Sequence, residues 1–542
     1  MAKRIANIKT RKETGLDYVV SAMNLLTPFA VKQIKRQQPF FPGEEEALRE
    51  ELMRVSRMLD IAEQNPKDIG ILQEIFMMVK DNNFTIERSR TSVLSVVEIF
   101  ELKSLLLQMD KVRRLGGKMD LPDVFVPEDV TDILDVLDPG KDRLNTFYIY
   151  DVFSKNLEEL RKEKKELERA IRRSNKAQKD KVKEKYGVVL TPKFEIVVSK
   201  NDAEKIKMIE EISELNRSEE DYMSVKFSLV PVRETDVLIA KSNNLVVEIE
   251  EEELKVREEL SKQISEYEKV LLENCEKIGR LDITLSKALY AAKNNCVMPE
   301  IVSEHVLEFE DGRNLQLEAV LKEKGKEYCP VSISLNDGVT CITGANMGGK
   351  TVSLKLAGMV AILAQYGYFV PCRKAKVGLS GYMQILIGDS QSIERGLSSF
   401  GSEMEELKEI LDYSCHRSLL LIDEIASGTN PVEGLALTRS IVDYLKVRPY
   451  ISLITTHFET VTADEDVKNV QVTGLAKADF NKLDKEIRYA SRKERIDIIG
   501  KYMDYSLTLV ENNREIPKDA LNIAKMLGID RCIIEKAKYY IE

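Results

Sequence analysis

Val339-Thr340-Cys341-Ile342-Thr343-Gly344-Ala345-Asn346-Met347-Gly348-Gly349-Lys350-Thr351 decides the fold class of the C-terminal half of this 542-residue chain. The apolar run Val339 to Thr343 predicts a strand, and Thr351 to Leu363 predicts a helix. Between them Gly344 to Thr351 satisfies the phosphate-loop pattern G-x-x-x-x-G-K-[ST]. That chemistry requires these residue types. Glycines let backbone N–H groups turn inward around phosphates, and the helix that follows adds the partial positive charge of its N-terminus. Gly344, Asn346, Met347, Gly348 and Gly349 are candidate binding residues. Lys350 can reach the β- and γ-phosphates of ATP, and the Thr351 hydroxyl can ligate Mg²⁺. A Gly-rich turn can match such a pattern by accident; the strand before it and the helix after it argue against that.

Working outward, Leu419-Leu420-Leu421-Ile422-Asp423-Glu424 places two carboxylates at the end of an apolar run. A buried parallel strand delivers such groups to the sheet edge where ligands bind. Asp423 is a candidate Mg²⁺ ligand, and Glu424 a candidate to polarise the attacking water. Ile451 to His457 is a further strand ending in a histidine placed to sense a γ-phosphate. Gly388-Asp389-Ser390-Gln391 and Gly396 to Gly401 enter an acidic helix, Glu403 to Leu411. Gln391 and Ser398 are its candidate nucleotide ligands, serving this chain or another subunit. From about Tyr328 onward short aliphatic runs alternate with helices, the pattern of an α/β domain.

The preceding sequence has another texture. Thr14 to Val112 is helical by periodicity, with Leu48, Leu52, Val55, Met58 and Leu59 at three-and-four spacing. A long charged helix from about Tyr150 to Tyr186 carries only a thin apolar stripe, Leu157, Leu160, Leu167 and Ile171, which fits an extended arm. A second charged helix, about Glu248 to Ala292, would return along it. Between them Gly187 to Leu190, Phe194 to Val198 and Phe227 to Val232 are strand-like. The last stretch, Pro517 to Ile541, is helical.

Composition narrows the function classes. Net charge is −10, so any contact with nucleic acid rests on a local patch. Aromatics are 6% and Trp is absent, which excludes widespread stacking on bases. Seven cysteines without a CxxC pair, no apolar run near eighteen residues and no secretory leader are expected of a reduced cytoplasmic protein without a membrane segment. Three histidines without ligand spacing make a zinc site improbable.

The order Asn346-Met347-Gly348-Gly349-Lys350, Ser398-Ser399-Phe400, Asp423-Glu424 with Gly428-Thr429, and Thr455-Thr456-His457-Phe458 resembles the MutS ATPase of the ABC superclass. The stretches Ile387 to Glu394 and Gly428 to Gly434 are similar to the branch lacking a mismatch-reading domain. The resemblance implies a multidomain fold: an α-helical core over 1–120, a lever and clamp arm over 121–292, a transition back to the core over 293–330, and an ABC-type α/β P-loop ATPase over 331–542 ending in helices that support dimerisation. It implies ATP and Mg²⁺ as cofactors, Lys350, Glu424 and His457 as catalytic residues, and a homodimer with composite ATP sites. No Phe-x-Glu motif stands near the N-terminus, no His-Pro pair shortly precedes the phosphate loop, and no Smr-type nuclease extension follows, so mismatch reading is not expected. Asp138 to Ile149 and the overall proportions are similar to a third group, associated with reactivation of B12-dependent lysine or ornithine aminomutases.

Two classes of client remain open at this level, with weak, mismatch-blind DNA binding the first expectation and protein remodelling the alternative. Between Arg161 and Lys185 stand twelve Lys/Arg against five Asp/Glu, enough for arms that close on duplex or branched DNA. The plainer alternative is a solvated arm whose basic face meets the acidic stretch Glu248 to Glu259. A protein client such as an aminomutase would instead be levered by ATP turnover.

Overall fold

The computed structural model describes residues 5–344, 349–388, 399–462, 466–475, 478–488, 495, 498–499, 501–510 and 519–541. Its contacts group the chain into two units, 1–77 with 279–542 and 78–278.

The first unit opens with α1 (Ile8–Glu13), α2 (Leu16–Ala22), α3 (Pro28–Ile34), α4 (Glu45–Gln64) and α5 (Pro66–Met78). Helix α4 buries Leu48, Leu52, Val55 and Met58, one apolar face at helical period. The segment leading into α1 lies along the α/β part, where Met383 N–H donates to the Ile5 carbonyl (2.8 Å).

In the second unit come α6 (Asn83–Arg88), α7 (Val96–Lys118) and α8 (Thr131–Leu137). Ser95 and Glu98 form a reciprocal capping box at the start of α7, which fixes where that helix begins. Helix α9 (Lys155–Tyr186) is the charged arm; Ser154 caps its start and Gly187, left-handed at φ +69°, ends it. A small domain follows, with β1 (Glu195–Ser199), α10 (Ala203–Glu210), β2 (Leu215–Glu220) and β3 (Ser224–Leu229). Its antiparallel sheet runs β1-β3-β2 over a core that includes Val188, Leu190, Ile209, Val225 and Phe227. Gly187 to Leu190 is thus a helix cap and two buried anchors, not a strand. The strand expected over Phe227 to Val232 lies earlier, ending at Leu229 ahead of Pro231.

The return helix also differs from expectation. It is two helices, α11 (Arg233–Glu266) and α12 (Glu268–Lys293), the second crossing into the first unit. The β-branched and aliphatic residues between Val237 and Val247 obscured its first half. Thr235, Ser242, Leu245 and Ile249 are buried along it, and the Thr235 and Ser174 hydroxyls bond at 2.7 Å.

The first unit resumes with β4 (Glu300–Val302), β5 (Val306–Gly312), α13 (Leu315–Glu323), β6 (Val331–Asn336), β7 (Gly338–Thr343), α14 (Lys350–Gln365), β8 (Lys374–Gly378), β9 (Tyr382–Ile387), α15 (Ser399–Tyr413), β10 (Ser418–Asp423), α16 (Pro431–Lys446), β11 (Tyr450–Thr455), β12 (Lys468–Gly474), α17 (Phe480–Arg488), β13 (Asp504–Leu509), α18 (Asp519–Met526) and α19 (Arg531–Ile541). Six strands form one sheet in the order β13-β12-β7-β11-β10-β9, parallel except for β13. A second sheet runs β4-β8-β5-β6. The segment 293–330 supplies two of its strands and is more than a connection.

Register positions the site. Asp423 lies opposite Thr455 on one side and Ile387 on the other, and Thr455 lies opposite Ile342. The C-terminal ends of β7, β11, β10 and β9 therefore finish level, at one edge of the sheet. Beneath them Leu420, Ile422 and Ile454 are essentially inaccessible, so the edge rests on a rigid apolar core. Among the described residues no helix is long and apolar enough to cross a membrane, and all seven cysteines are free.

Candidate functional site

Strand β7 ends at Thr343; Gly344 after it is left-handed at φ +121°, and Gly349, at φ +80°, caps α14. A Cβ on Gly349 would sit 3.1 Å from the Tyr505 ring, so the left-handed turn also permits close approach of β13. Asn346, Met347 and Gly348, and likewise Gln391 and Ser398, lie outside the described residues.

Four expected residues converge at this edge. Lys350, buried in the first turn of α14, donates to the Gly344 carbonyl (3.1 Å) and pairs with Glu424 (3.0 Å). The Thr351 hydroxyl donates to Asp423 Oδ2 (2.8 Å). A hydroxyl and a carboxylate so close offer the hard oxygen donors that Mg²⁺ prefers. The side chains at this edge therefore fit the metal that the sequence implied.

Thr455, named in a sequence motif without a role of its own, joins these groups. Its hydroxyl donates to Asp423 Oδ1 (2.5 Å) and accepts from the Glu424 N–H (3.0 Å), while its carbonyl also accepts from that N–H (3.1 Å). The available signal was a hydroxyl closing an otherwise apolar run, and only strand register made it meaningful. Glu403 on α15 was also missed. Its Oε1 accepts from the Ala426 N–H (3.2 Å), and burial raises its carboxyl pKa despite that bond. His457 is exposed two residues past β11, its ring against Phe458 at 4.1 Å between centroids. The Ser380–His305–Asp337 chain elsewhere (3.3 and 2.6 Å) imitates a catalytic triad, but Ser380 and His305 are buried, leaving the hydroxyl inaccessible to a substrate.

A second candidate site is a face of the arm. Lys162, Lys165, Arg169, Arg172, Lys176 and Lys183 recur at spacings of three, four or seven, which puts them on one face of α9. All six are exposed, as are Arg173 and Lys181 beside them, and none of the eight has an ion pair among the described residues. The acidic stretch of α11 does not neutralise them. Glu253 pairs with Arg161 (2.6 Å) and Glu252 bonds Ser154 (2.7 Å), both at the base of the arm. Farther out the polarity is reversed, with Lys241 of α11 on Glu163 (2.8 Å). Lys179 and Lys185 are engaged locally, by the Thr191 carbonyl and by Glu214.

A model of MutS domain V matches residues 340–538. The protein named Endonuclease MutS2 from Fusobacterium nucleatum subsp. nucleatum is 30% identical over 475 residues, 83% of this chain and 53% of that one. Its namesake in Clostridium tetani is 32% identical over 314 residues, 55% of this chain and 36% of that one. The one from Clostridium botulinum (strain Langeland) is 36% identical over 203 residues, 36% of this chain and 25% of that one. The chain spans about half or less of the length of these curated relatives.

Proposed function

This chain belongs to the MutS family, and from that premise we propose that it is an Mg²⁺-dependent ATPase, working as a two-fold dimer whose arms hold duplex DNA without reading mismatches. The observation that carries the ATPase is the convergence of Thr351 on Asp423 beside the Lys350–Glu424 pair.

Thr351 and Asp423 would hold the metal, which would supply positive charge against the β- and γ-phosphates. Lys350 places a buried positive charge against the γ-phosphate. Glu424, within ion-pair reach of Lys350, faces the same small volume and orients the attacking water. Thr455 fixes both acids at once, Asp423 through its carboxylate and Glu424 through its backbone N–H. His457 stands at the same sheet edge as the γ-phosphate sensor.

The cationic face of α9 supports DNA as the client. From Lys162 to Lys183 it extends roughly 30 Å at 1.5 Å per residue, close to one turn of duplex, and its charges are free to exchange with phosphate counterions. A protein client of the aminomutase kind finds no support in these relatives. Their name describes whole proteins of which this chain spans only part, and no nuclease activity is proposed for it.

Ser398 belongs in this scheme to the partner's nucleotide. Mixing Lys350→Ala with Ser398→Arg chains puts both lesions in one site of each mixed dimer and leaves the other site intact. Equal mixing should recover about a quarter of wild-type turnover from two inactive parents. Demonstrated mixing without recovery would refute the composite site.

A further inference from the structure

We propose that Glu403 is a positioning residue that holds the turn carrying Glu424, and that the N-terminal segment steadies it by anchoring α15 through Lys9. This rests on the ATPase reading above. Glu424 and Ala426 are both left-handed, at φ +44° and +60°, a conformation unfavourable for residues bearing a Cβ. Such a turn persists only where its surroundings hold it. Thr455 takes the Glu424 N–H, and the Thr438 hydroxyl donates to the Ile425 carbonyl (3.3 Å). Glu403 takes the Ala426 N–H. Helix α16 presses from another side, where a Cβ on Gly434 would meet the Ala426 carbonyl oxygen at 2.6 Å. Glu403 is the charged member of this set, and its partly buried carboxylate faces a single backbone donor of the turn.

One turn along α15, Glu406 receives Lys9 Nζ on both oxygens (2.8 Å each), and the same ammonium reaches the Ile387 carbonyl at the end of β9 (3.4 Å). The Thr10 hydroxyl donates to Gln384 (2.6 Å) and accepts from the Ile385 N–H (3.2 Å). The N-terminal segment thus satisfies the outward N–H groups of edge strand β9 and clasps α15 to it. An ion pair at Glu406 and a hydrogen bond at Glu403 thus link Lys9, through α15, to the hydrolytic turn.

The full chain carrying Glu403→Ala, Glu403→Gln or Lys9→Met tests this by single-turnover hydrolysis, nucleotide binding and amide exchange over 424–427. Glu403→Ala should slow hydrolysis about tenfold, leave nucleotide affinity within about twofold and speed exchange at Ala426. Glu403→Gln, which keeps an acceptor oxygen, should restore most of the rate. Lys9→Met should give a smaller loss of the same kind. Unchanged exchange at Ala426 in Glu403→Ala would overturn the proposal, as would a rate loss matched by an equal loss of affinity and not rescued by Gln. A wild-type chain without turnover would sink the ATPase reading instead, while the exchange readout would still report on Glu403.

Discussion

Glu424→Gln should leave ATP and Mg²⁺ bound and cut hydrolysis by a factor on the order of 10² or more. Gln matches Glu in size and keeps one acceptor oxygen, so the left-handed turn and its bonds to Thr455 survive. The negative charge that orients water and takes its proton is lost. Affinity should hold or rise, because Lys350 no longer shares its charge with Glu424 at 3.0 Å and can give it to the γ-phosphate. Equilibrium binding beside single-turnover hydrolysis separates the two effects. Hydrolysis at the wild-type rate would move the role of base away from Glu424.

Neutralising the arm should have an effect of similar size on DNA. Arg169, Arg172, Lys176 and Lys183 lie on one exposed face of α9 and are free of ion pairs among the described residues. Lys179 is left intact because it bonds the Thr191 carbonyl. Each lost phosphate contact reduces the log–log salt slope by about 0.9. Replacing all four by Gln should therefore flatten the slope by roughly three to four units and weaken duplex binding on the order of 10²- to 10³-fold near 0.15 M salt. The effect of DNA on turnover should vanish with it. An unchanged slope would remove the arm from the DNA interface and favour a solvated helix.

The nucleotide edge was legible because its strands are buried on both faces. Runs such as Leu419–Ile422 and Ile451–Ile454 need no alternation, and the acids or hydroxyls that end them stand out. The second sheet was harder to see. In β5 only Leu307, Phe309 and Gly312 are buried, and α13 separates that strand from its partner β6. The start of α11 was hidden by its β-branched residues, whose strand preference yields to packing along α9. The roles of Thr455 and Glu403 were invisible for another reason. A threonine ending a strand and a glutamate in an acidic helix are ordinary until register and tertiary contacts set them beside Asp423 and Ala426. The twelve cations between Arg161 and Lys185 could be counted in the sequence, but not which eight of them have no ion pair among the described residues. That the acids of α11 sit at the base of the arm required the structure.

Steady-state ATP hydrolysis by the purified chain in Mg²⁺, titrated with perfectly paired duplex DNA, tests the central claim most directly. Mg²⁺-dependent turnover that shifts saturably with duplex, and is absent in Lys350→Ala, is the predicted result. Wild-type hydrolysis no greater than that of Lys350→Ala, with or without DNA, would contradict it.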